Sequence, residues 1–342
     1  MPSVSIATMS VSFGILGCGS IAQRHGQHVK NHPEARLVAA FDARMERATA
    51  LCEKWGGVAE TTLEGFLARP IDVISICTPN GLHADHAVKV LESGHHALVE
   101  KPMSLTRRDC ERMLETSLRS GRQIFVVKQN RYNPPVKALK DLLSVHGLGR
   151  ILSVQVNCFW NRSADYYSSS DWKGKKALDG GTLFTQFSHF VDVLVYLLGD
   201  ADVISAAFSN ANHDGLIEFE DTGTVLFRLR EHAALGSLHF TTCAFSKNME
   251  GSITIFGEKG TVKIGGQYLN VVDYAQGVTL DVPESSAAPA NEYGSYQGSM
   301  SNHDKVIQNV VDTIQGRASV MTNAMEGLRT VDLIERMYAA GR

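Results

Sequence analysis

Phe13-Gly14-Ile15-Leu16-Gly17-Cys18-Gly19-Ser20-Ile21-Ala22, residues 13–22, decides the fold of the first part of the chain. An apolar run ends at Leu16, the pattern Gly-x-Gly-x-x-Ala follows, and an amphipathic segment comes next. Glycines at such a turn let the backbone approach a pyrophosphate where the amides of a helix N-terminus point outward. The stretch therefore predicts a strand, a turn and a helix that bind a dinucleotide, with contacts at Gly17, Gly19, Ser20, Ile21 and Ala22.

The next apolar run, residues 37–41, leads directly into Asp42. A carboxylate at this place accepts hydrogen bonds from the adenosine ribose hydroxyls and repels a 2′-phosphate, so NAD is predicted over NADP. Ala43 and Arg44 follow as further cofactor contacts, and Arg44 could accommodate that phosphate, which leaves NADP open. The simpler interpretation is a turn that needs glycine only for positive φ, with Asp42 on the surface.

Hydrophobic periodicity divides the rest of the chain into two parts. Apolar runs at 73–77, 97–99 and 124–127 alternate with helical patterns, which is typical of a doubly wound parallel sheet. After residue 135 the period becomes two, in runs at 153–160, 203–208, 224–230, 234–241, 252–256 and 261–264, which predicts an antiparallel sheet. We expect an α/β Rossmann domain, residues 1–130, plus an α+β domain, residues 131–342, with a large, open, mostly antiparallel sheet.

The end of the second part is predicted from composition. Residues 283–301 are polar and small and are expected to form a long loop, and helices follow at 303–315 and 324–338. These last helices can pack back on the first domain. One face of the open sheet is expected to be packed and the other covered by a partner subunit, in a homodimer or homotetramer.

Composition favours a small-molecule partner. Of the 342 residues, 44% are hydrophobic and 20% charged, and the net charge is −3 without a run of Lys or Arg, so binding to nucleic acid or to an anionic membrane is not expected. The six cysteines are scattered without a C-x-x-C pair, and the first ten residues lack the pattern of a signal peptide. These two features predict a cytoplasmic protein whose cysteines are reduced. The histidines show no metal-ligand pattern, and no metal is predicted.

Three further segments carry a family resemblance: Cys77-Thr78-Pro79-Asn80-x-x-His83, Glu100-Lys101-Pro102, and a helix after Gly180-Gly181 that contains His189. Together with the glycine motif they resemble the Gfo/Idh/MocA oxidoreductases over nearly the whole chain. The resemblance implies a Rossmann domain followed by an open sheet, and oxidation or reduction of sugars, inositols or related polyols with a nicotinamide cofactor.

Within that family, three stretches are similar to the WlbA/WbpB group: Phe159-Trp160-Asn161-Arg162, Asp171-Trp172-Lys173-Gly174, and residues 180–190. Those enzymes use NAD to oxidise C3 of UDP-N-acetylglucosaminuronic acid to a 3-keto sugar for surface polysaccharide. A dehydrogenase of a free sugar or inositol is the main alternative. A ligand sensor without catalysis is less favoured, because Lys101 and His189 are both present.

Lys101 is the predicted proton acceptor. It follows a buried strand at 97–99, and Pro102 restricts it to an extended conformation. Beside a positively charged nicotinamide ring its amine should lose a proton more easily than in water. A solvated surface lysine is the alternative interpretation.

His189 is the second predicted catalytic residue. It belongs to a polar stripe on an otherwise apolar helix at 182–198, whose other members are Thr182, Thr185, Asp192 and Tyr196. Many relatives have an aspartate where Thr185 stands, and a hydroxyl cannot hold a histidine in its charged form. His189 is therefore a neutral partner of Lys101 or the base itself, and a core histidine bonded to backbone is the alternative.

The remaining predicted contacts lie at strand ends and in one aromatic loop. Arg162 can pair with a carboxylate or phosphate while neighbouring aromatic rings stack, although the same residues would also suit a subunit contact. Cofactor neighbours are predicted at Thr78, Pro79, Asn80, His83, Glu100, Lys101 and Gln129. Substrate neighbours are predicted at Lys101, Asn130, Arg131, Trp160, Asn161, Arg162, Tyr166, Trp172, Thr185, Gln186 and His189.

Overall fold

A computed structural model describes residues 10–283, 290–292 and 297–341 of the chain. The first part alternates strands and helices in the order β1 (Val11–Leu16), α1 (Ser20–Asn31), β2 (Ala35–Phe41), α2 (Met45–Trp55), β3 (Val58–Ala59), α3 (Leu63–Leu67), β4 (Val73–Ile76), α4 (His83–Glu92), β5 (His96–Val99), α5 (Arg107–Ser120) and β6 (Ile124–Val126). Two short 3₁₀ helices, Asn80–Leu82 and Gln129–Tyr132, follow β4 and β6.

The first sheet is wholly parallel and has the strand order β3-β2-β1-β4-β5-β6. Its central strands are buried along their full length, as expected for a sheet covered by helices on both faces. The strand order reverses between β1 and β4. A crevice therefore opens there at the carboxyl ends of the strands, where ligands bind in folds of this type.

The second part runs through α6 (Pro134–Ser144), β7 (Ile151–Phe159), α7 (Ala164–Ser168), α8 (Lys176–Asp179), α9 (Thr182–Thr185), α10 (Ser188–Leu198), β8 (Ala201–Ser209), β9 (Thr222–Leu229), β10 (Leu235–Thr241), β11 (Glu250–Gly257), β12 (Thr261–Gly265), β13 (Val271–Gln276), β14 (Ala290–Glu292), β15 (Gln297–Met300), α11 (His303–Ile314) and α12 (Ala324–Ala340).

Seven of these strands form a mixed, mostly antiparallel sheet in the order β13-β12-β11-β7-β10-β9-β8. Only β7 and β10 pair in parallel. Burial alternates along β9 and β10, so one face carries Val225, Phe227 and Phe240 into the core and the other is open. The predicted fold class is therefore confirmed. Its sheet has one more strand, β13, than the sequence pattern predicted.

The predicted helix at 182–198 is in fact two helices, because α9 ends at Thr185 and α10 begins at Ser188. The amide of Phe187 bonds the carbonyl of Thr182, five residues back, at 3.2 Å. This wider turn inserts an extra residue and bends the chain. The polar stripe is consequently divided, with Thr185 on one helix and His189 on the next.

The predicted loop at 283–301 needs a correction as well. It contains β14 and β15, which pair as a two-stranded antiparallel sheet, while residues 284–289 and 293–296 lie outside the described part. Most of the N-terminal segment that was predicted not to be a signal peptide also lies outside it.

The last two helices contact the first part of the chain. Val306 and Val310 of α11 share an apolar cluster with Phe13 and Leu98 of the parallel sheet. Arg107 at the start of α5 forms an ion pair with Asp332 of α12. Along the described chain no single helix is long and apolar enough to cross a membrane, and only the pair Lys176–Thr185 and Ser188–Leu198, bent by 50°, meets that length and composition together.

Candidate active site

A cleft of about 1140 Å³ opens at the carboxyl ends of β1, β4 and β5. Its far wall comes from the second part of the chain, mainly the segment between Trp160 and Asp179, called the 160–179 segment below. The crevice expected at the reversal of strand order is thus closed on one side by the other half of the molecule.

The glycine loop has the geometry of a cradle for pyrophosphate. Gly17 has φ +86°, and a Cβ there would meet the backbone of Cys77 and Thr78 at 2.9 Å. A Cβ on Gly19 would meet no described atom within 4 Å, so the space in front of Gly19 is open. These two features fit a dinucleotide whose phosphates approach the amides at the start of α1.

Asp42 is held rigidly beside this loop. Its Oδ2 accepts a hydrogen bond from the amide of Cys18 at 2.7 Å, and its Oδ1 accepts one from the amide of Arg44 at 2.8 Å. The carboxylate therefore has a fixed orientation at the cleft edge, suited to ribose hydroxyls. The Arg44 guanidinium forms an ion pair with Asp171 of the 160–179 segment.

Lys101 lines the cleft directly after β5, and the Lys101–Pro102 peptide bond is cis. Its Nζ donates a hydrogen bond to the backbone carbonyl of Thr185 at 2.7 Å. Burial lowers the pKa of Lys101 to about 8, although the Glu100 and Asp179 carboxylates oppose this effect. A lysine with such a pKa exchanges protons close to neutral pH.

His189 lines the same cleft and is only 4% exposed. Burial, together with the positive charges of Lys101 and Lys128, holds the pKa of His189 well below its usual value. Its Nδ1 has no hydrogen-bond partner among the described residues. The imidazole is therefore neutral, which suits a hydrogen-bonding partner of a substrate hydroxyl.

Behind these two side chains is a buried polar cluster that the sequence did not predict as a whole. Asn80 Nδ2 donates to Thr185 Oγ1 at 2.7 Å and to the Asp179 carbonyl at 2.9 Å. The Thr185 hydroxyl also donates to the Asp179 carboxylate. The sequence signal for Asp179 was weak: an acidic residue directly before Gly180-Gly181.

Gly81, next to Asn80, lets α8 approach this cluster. A Cβ on Gly81 would collide with the carbonyl oxygen of Ala177 in α8. The two halves of the molecule are thus in backbone contact beside the cleft.

The wall opposite the glycine loop is cationic and aromatic. The buried Arg162 guanidinium lies 5.1 Å from the ring centres of both Trp160 and Tyr166, and its Nε donates to Gln186 Oε1 at 2.7 Å. Lys173 Nζ lies 3.8 Å from the Tyr166 ring centre. Burial and the nearby Arg162 lower the pKa of Lys173 to about 8. Two cations this close favour a ligand that carries negative charge.

Most residues that the sequence singled out line the cleft. These are Gly17, Gly19, Ser20, Ile21, Asp42, Ala43, Arg44, Thr78, Pro79, Asn80, His83, Glu100, Lys101, Gln129, Trp160, Arg162, Tyr166, Trp172, Thr185, Gln186 and His189. His83 is also a structural link, because its ring nitrogens contact the carbonyls of Pro102 at 2.7 Å and Thr78 at 2.8 Å.

Four predicted contacts do not line it, and each has a different environment. Ala22 is fully buried, and Asn130 is buried against Ser299. Asn161 donates from its side chain to the Ala244 carbonyl at 2.6 Å. The Arg131 guanidinium is occupied by ion pairs with Asp192 and Glu326.

Arg131, an arginine at a strand end that was predicted as a substrate neighbour, lies outside the cleft lining. Its guanidinium donates two hydrogen bonds to Asp192, at 2.8 and 2.9 Å, and Lys128 Nζ lies 3.4 Å from the same carboxylate. These contacts fix α10, and with it His189, against the chain that follows β6. Conversely, five further residues line the cleft that were not predicted as contacts. Cys18, Asp171 and Lys173 lie inside the quoted motifs, whereas no motif marks Arg47 and His86.

Two clusters of side chains have the chemistry of metal ligands, and neither was predicted from residue spacing in the sequence. The first consists of His25, Glu100 and His303, and the second of His213, Asp221 and Cys243. In the first, His25 Nε2 is 2.9 Å from Glu100 Oε1. In the second, both ring nitrogens of His213 are engaged, with Asp221 at 2.9 Å and the Arg162 carbonyl at 2.8 Å. The absence of a metal stays a prediction.

Comparison with known proteins agrees with this geometry. Residues 11–128 match the Gfo/Idh/MocA oxidoreductase family, NAD-binding Rossmann fold, and residues 140–342 match its C-terminal alpha/beta domain. The WlbA dehydrogenase from Bordetella pertussis, solved with NADH and UDP-GlcNAcA, is 34% identical with a TM-score of 0.87, and the match covers 97% of each chain.

Curated sugar dehydrogenases are also similar. Glucose-6-phosphate 3-dehydrogenase from Bacillus subtilis is 24% identical over 95% of each chain. D-glucoside 3-dehydrogenase from Escherichia coli is 28% identical, over 54% of this chain and 53% of its own.

Proposed function

The chain belongs to the Gfo/Idh/MocA family of NAD-dependent oxidoreductases, and on that premise we propose that it oxidises the C3 hydroxyl of UDP-N-acetylglucosaminuronic acid to a ketone. The observation that carries the proposal is the cationic wall formed by Arg162 and Lys173 opposite the glycine loop. A sugar acid linked to a diphosphate carries the negative charge that this wall favours, whereas a free neutral sugar does not. The similarity to WlbA over the whole chain supports the same substrate.

The reaction requires a hydride acceptor and a proton acceptor. The glycine loop and Asp42 would hold NAD, which would supply the acceptor for the hydride of the carbinol carbon. Lys101 takes the hydroxyl proton, because its lowered pKa leaves a substantial neutral fraction near pH 8. His189, being neutral, accepts or donates a hydrogen bond at the same hydroxyl and orients it. The rigid Rossmann elements hold these groups at a fixed distance and orientation relative to the reacting carbon.

The anionic parts of the substrate meet the second half of the cleft. Arg162 is buried and fixed by Gln186, so it presents its charge with little loss of side-chain freedom. Lys173 lies nearer the mouth, over the Tyr166 ring. We assign the sugar carboxylate and the diphosphate to these cations, and the uracil ring to the aromatic side chains of the same segment.

The proposal also includes the cellular location and the oligomeric state of the protein. The six cysteines are free thiols, which supports a location in the cytoplasm. The proposed substrate, which is that of WlbA, supports a step in surface polysaccharide synthesis. The open face of the large sheet exposes Leu226, Leu235 and Phe256, which supports a homodimer or homotetramer formed on that face.

A substrate panel tests the proposal. NADH formation is measured with UDP-N-acetylglucosaminuronic acid, with UDP-N-acetylglucosamine as the matched compound without the carboxylate, and with glucose and myo-inositol. We expect turnover with the acid and at least about a ten-fold lower kcat/KM with UDP-N-acetylglucosamine, which keeps the diphosphate but lacks the carboxylate; this is the size of one lost charge-assisted contact. Turnover with glucose or inositol but not with the acid would overturn the substrate in favour of a free-sugar dehydrogenase.

A further inference from the structure

Thr185 connects two parts of the cleft that are far apart in sequence. It is the last residue of α9, so the helix leaves its carbonyl without an internal donor. Lys101 Nζ provides that donor at 2.7 Å. The position of the Lys101 amine therefore depends on where the backbone of Thr185 lies.

The side chain of Thr185 is fixed from behind. Its hydroxyl donates to the Asp179 carboxylate and accepts from Asn80 Nδ2 at 2.7 Å. The other Asp179 oxygen, Oδ2, accepts from the Gly174 amide at 2.7 Å. Asp179 is 1% exposed and does not belong to the cleft surface, so its hydrogen-bond connection to the Lys101 amine passes through Thr185.

We propose that Asp179 is a positioning residue for Lys101 and acts through Thr185. It anchors the short α9 helix, keeps the Thr185 carbonyl under the lysine amine, and places a negative charge behind that amine. This inference rests on the proposed role of Lys101 as proton acceptor.

The charges around Lys101 give the role a measurable signature. Glu100 and Asp179 raise the pKa of Lys101, while burial, Lys128 and Arg162 lower it. Neutral His189 adds no charge. The cations that face Asp179 are Lys101 and Lys173. Removing the Asp179 charge therefore lowers the pKa of Lys101, since one of two opposing carboxylates is lost.

The test compares Asp179→Asn with Asp165→Asn. The second variant makes the same chemical change at an exposed position of α7 in the 160–179 segment. For each, kcat and kcat/KM are measured against pH, with melting temperature and NADH binding as checks of folding. We expect Asp179→Asn to reduce kcat about ten-fold and to move the acid limb of kcat/KM down by about one pH unit, with KM little changed. Asp165→Asn should behave as the parent enzyme.

A second variant separates position from charge. Thr185→Val removes the hydroxyl link but keeps the Asp179 carboxylate, so it should lower kcat without moving the acid limb downward. It also serves as the test if Asp179→Asn melts below the assay temperature. Parent values of kcat in Thr185→Val, or of both kcat and acid limb in a folded Asp179→Asn, would overturn the inference.

Lys101→Met distinguishes failure of this inference from failure of the proposed mechanism. If Lys101→Met retains turnover, the lysine is not the proton acceptor, and the premise fails. If Lys101→Met is inactive while Asp179→Asn matches Asp165→Asn, only the role of Asp179 is wrong.

Discussion

Gly17 and Gly19 belong to one motif, but glycine is needed at the two positions for different reasons. Gly17 is required by the protein itself, because its φ is positive and a Cβ would strike the backbone after β4. Gly19 has open space in front of it, so it is required only by what binds there.

We therefore expect Gly17→Ala and Gly19→Ala to fail differently. Gly17→Ala should destabilise the fold by about 1–3 kcal/mol, the usual cost of a strained backbone position. Gly19→Ala should melt as the parent does but bind NADH more weakly, because the methyl group occupies pyrophosphate space. Thermal melting and fluorescence titration with NADH measure the two effects. Equal NADH affinity in Gly19→Ala and the parent protein would contradict this assignment.

At the level of single residues, the sequence was most specific where a motif defines both the residue and its place in the fold. Lys101 and His189 were predicted in this way, and the structure brings both to one cleft. Arg131 and Asp179 show the limit of that reasoning. Whether a charged side chain meets substrate or another side chain depends on partners distant in sequence, such as Asp192 for Arg131.

Among the elements, the 160–179 segment has the largest influence on the cleft. Its residues form most of the far wall of the cleft, and Asp171 forms an ion pair with Arg44, close to Asp42. Arg44 is the residue that could accept the 2′-phosphate of NADP. Asp171 thus competes with that phosphate for the guanidinium.

Asp171→Ala should consequently relax the preference for NAD. Both members of the pair are largely exposed, at 49% and 68%, so the ion pair is worth at most about 1 kcal/mol. We expect the ratio of kcat/KM for NADP to that for NAD to rise about two- to five-fold. Asp165→Ala, in the same segment, is the control. An unchanged ratio would show that Asp42 alone determines the choice of cofactor.

Element types were predicted better than element breaks. The parallel strands follow from apolar runs that are buried on both sides, a pattern visible in the sequence. The bend between α9 and α10 could not be predicted, because residues 182–198 contain no proline or glycine. It results from the wide turn at Phe187. Strand β13 was missed because its residues are mostly exposed, so the sequence lacks a buried alternation there.

For the whole molecule, the central feature is a buried ion network between the chain after β6, α10 and α12. Asp192 accepts hydrogen bonds from Arg131 and lies close to Lys128, and Glu326 of α12 binds the same arginine. Arg131 and Lys128 hold the pKa of Asp192 at about 2, against 3.8 for an ordinary aspartate, although burial opposes them. The folded-state pKa is thus below the unfolded one. The ionised Asp192 carboxylate therefore contributes fully to stability above about pH 4, and this contribution is lost as the pH falls through about 2.

Asp192→Asn should destabilise the protein by about 3–5 kcal/mol, because it leaves the buried Lys128 without its carboxylate and Arg131 with Glu326 as its remaining ion-pair partner. Urea unfolding at neutral pH measures the loss, and Asp141→Asn on the exposed side of α6 is the matched control. The difference between Asp192→Asn and the parent should shrink in acid as Asp192 itself becomes protonated. A variant within about 0.5 kcal/mol of the parent at neutral pH would mean that the network contributes little to folding.

The close approach of Gly81 to Ala177 also bears on how members of this family could exchange parts. A chimera joined near residue 130 would set a foreign Rossmann half against this second half. It would retain the cleft only if the donor also had no side chain at the position of Gly81 and a lysine at the position of Lys128, which pairs with Asp192. Transferring the second half alone is therefore not expected to transfer the substrate preference. A crossover near residue 130 must therefore also preserve the contacts of Gly81 with Ala177 and of Lys128 with Asp192.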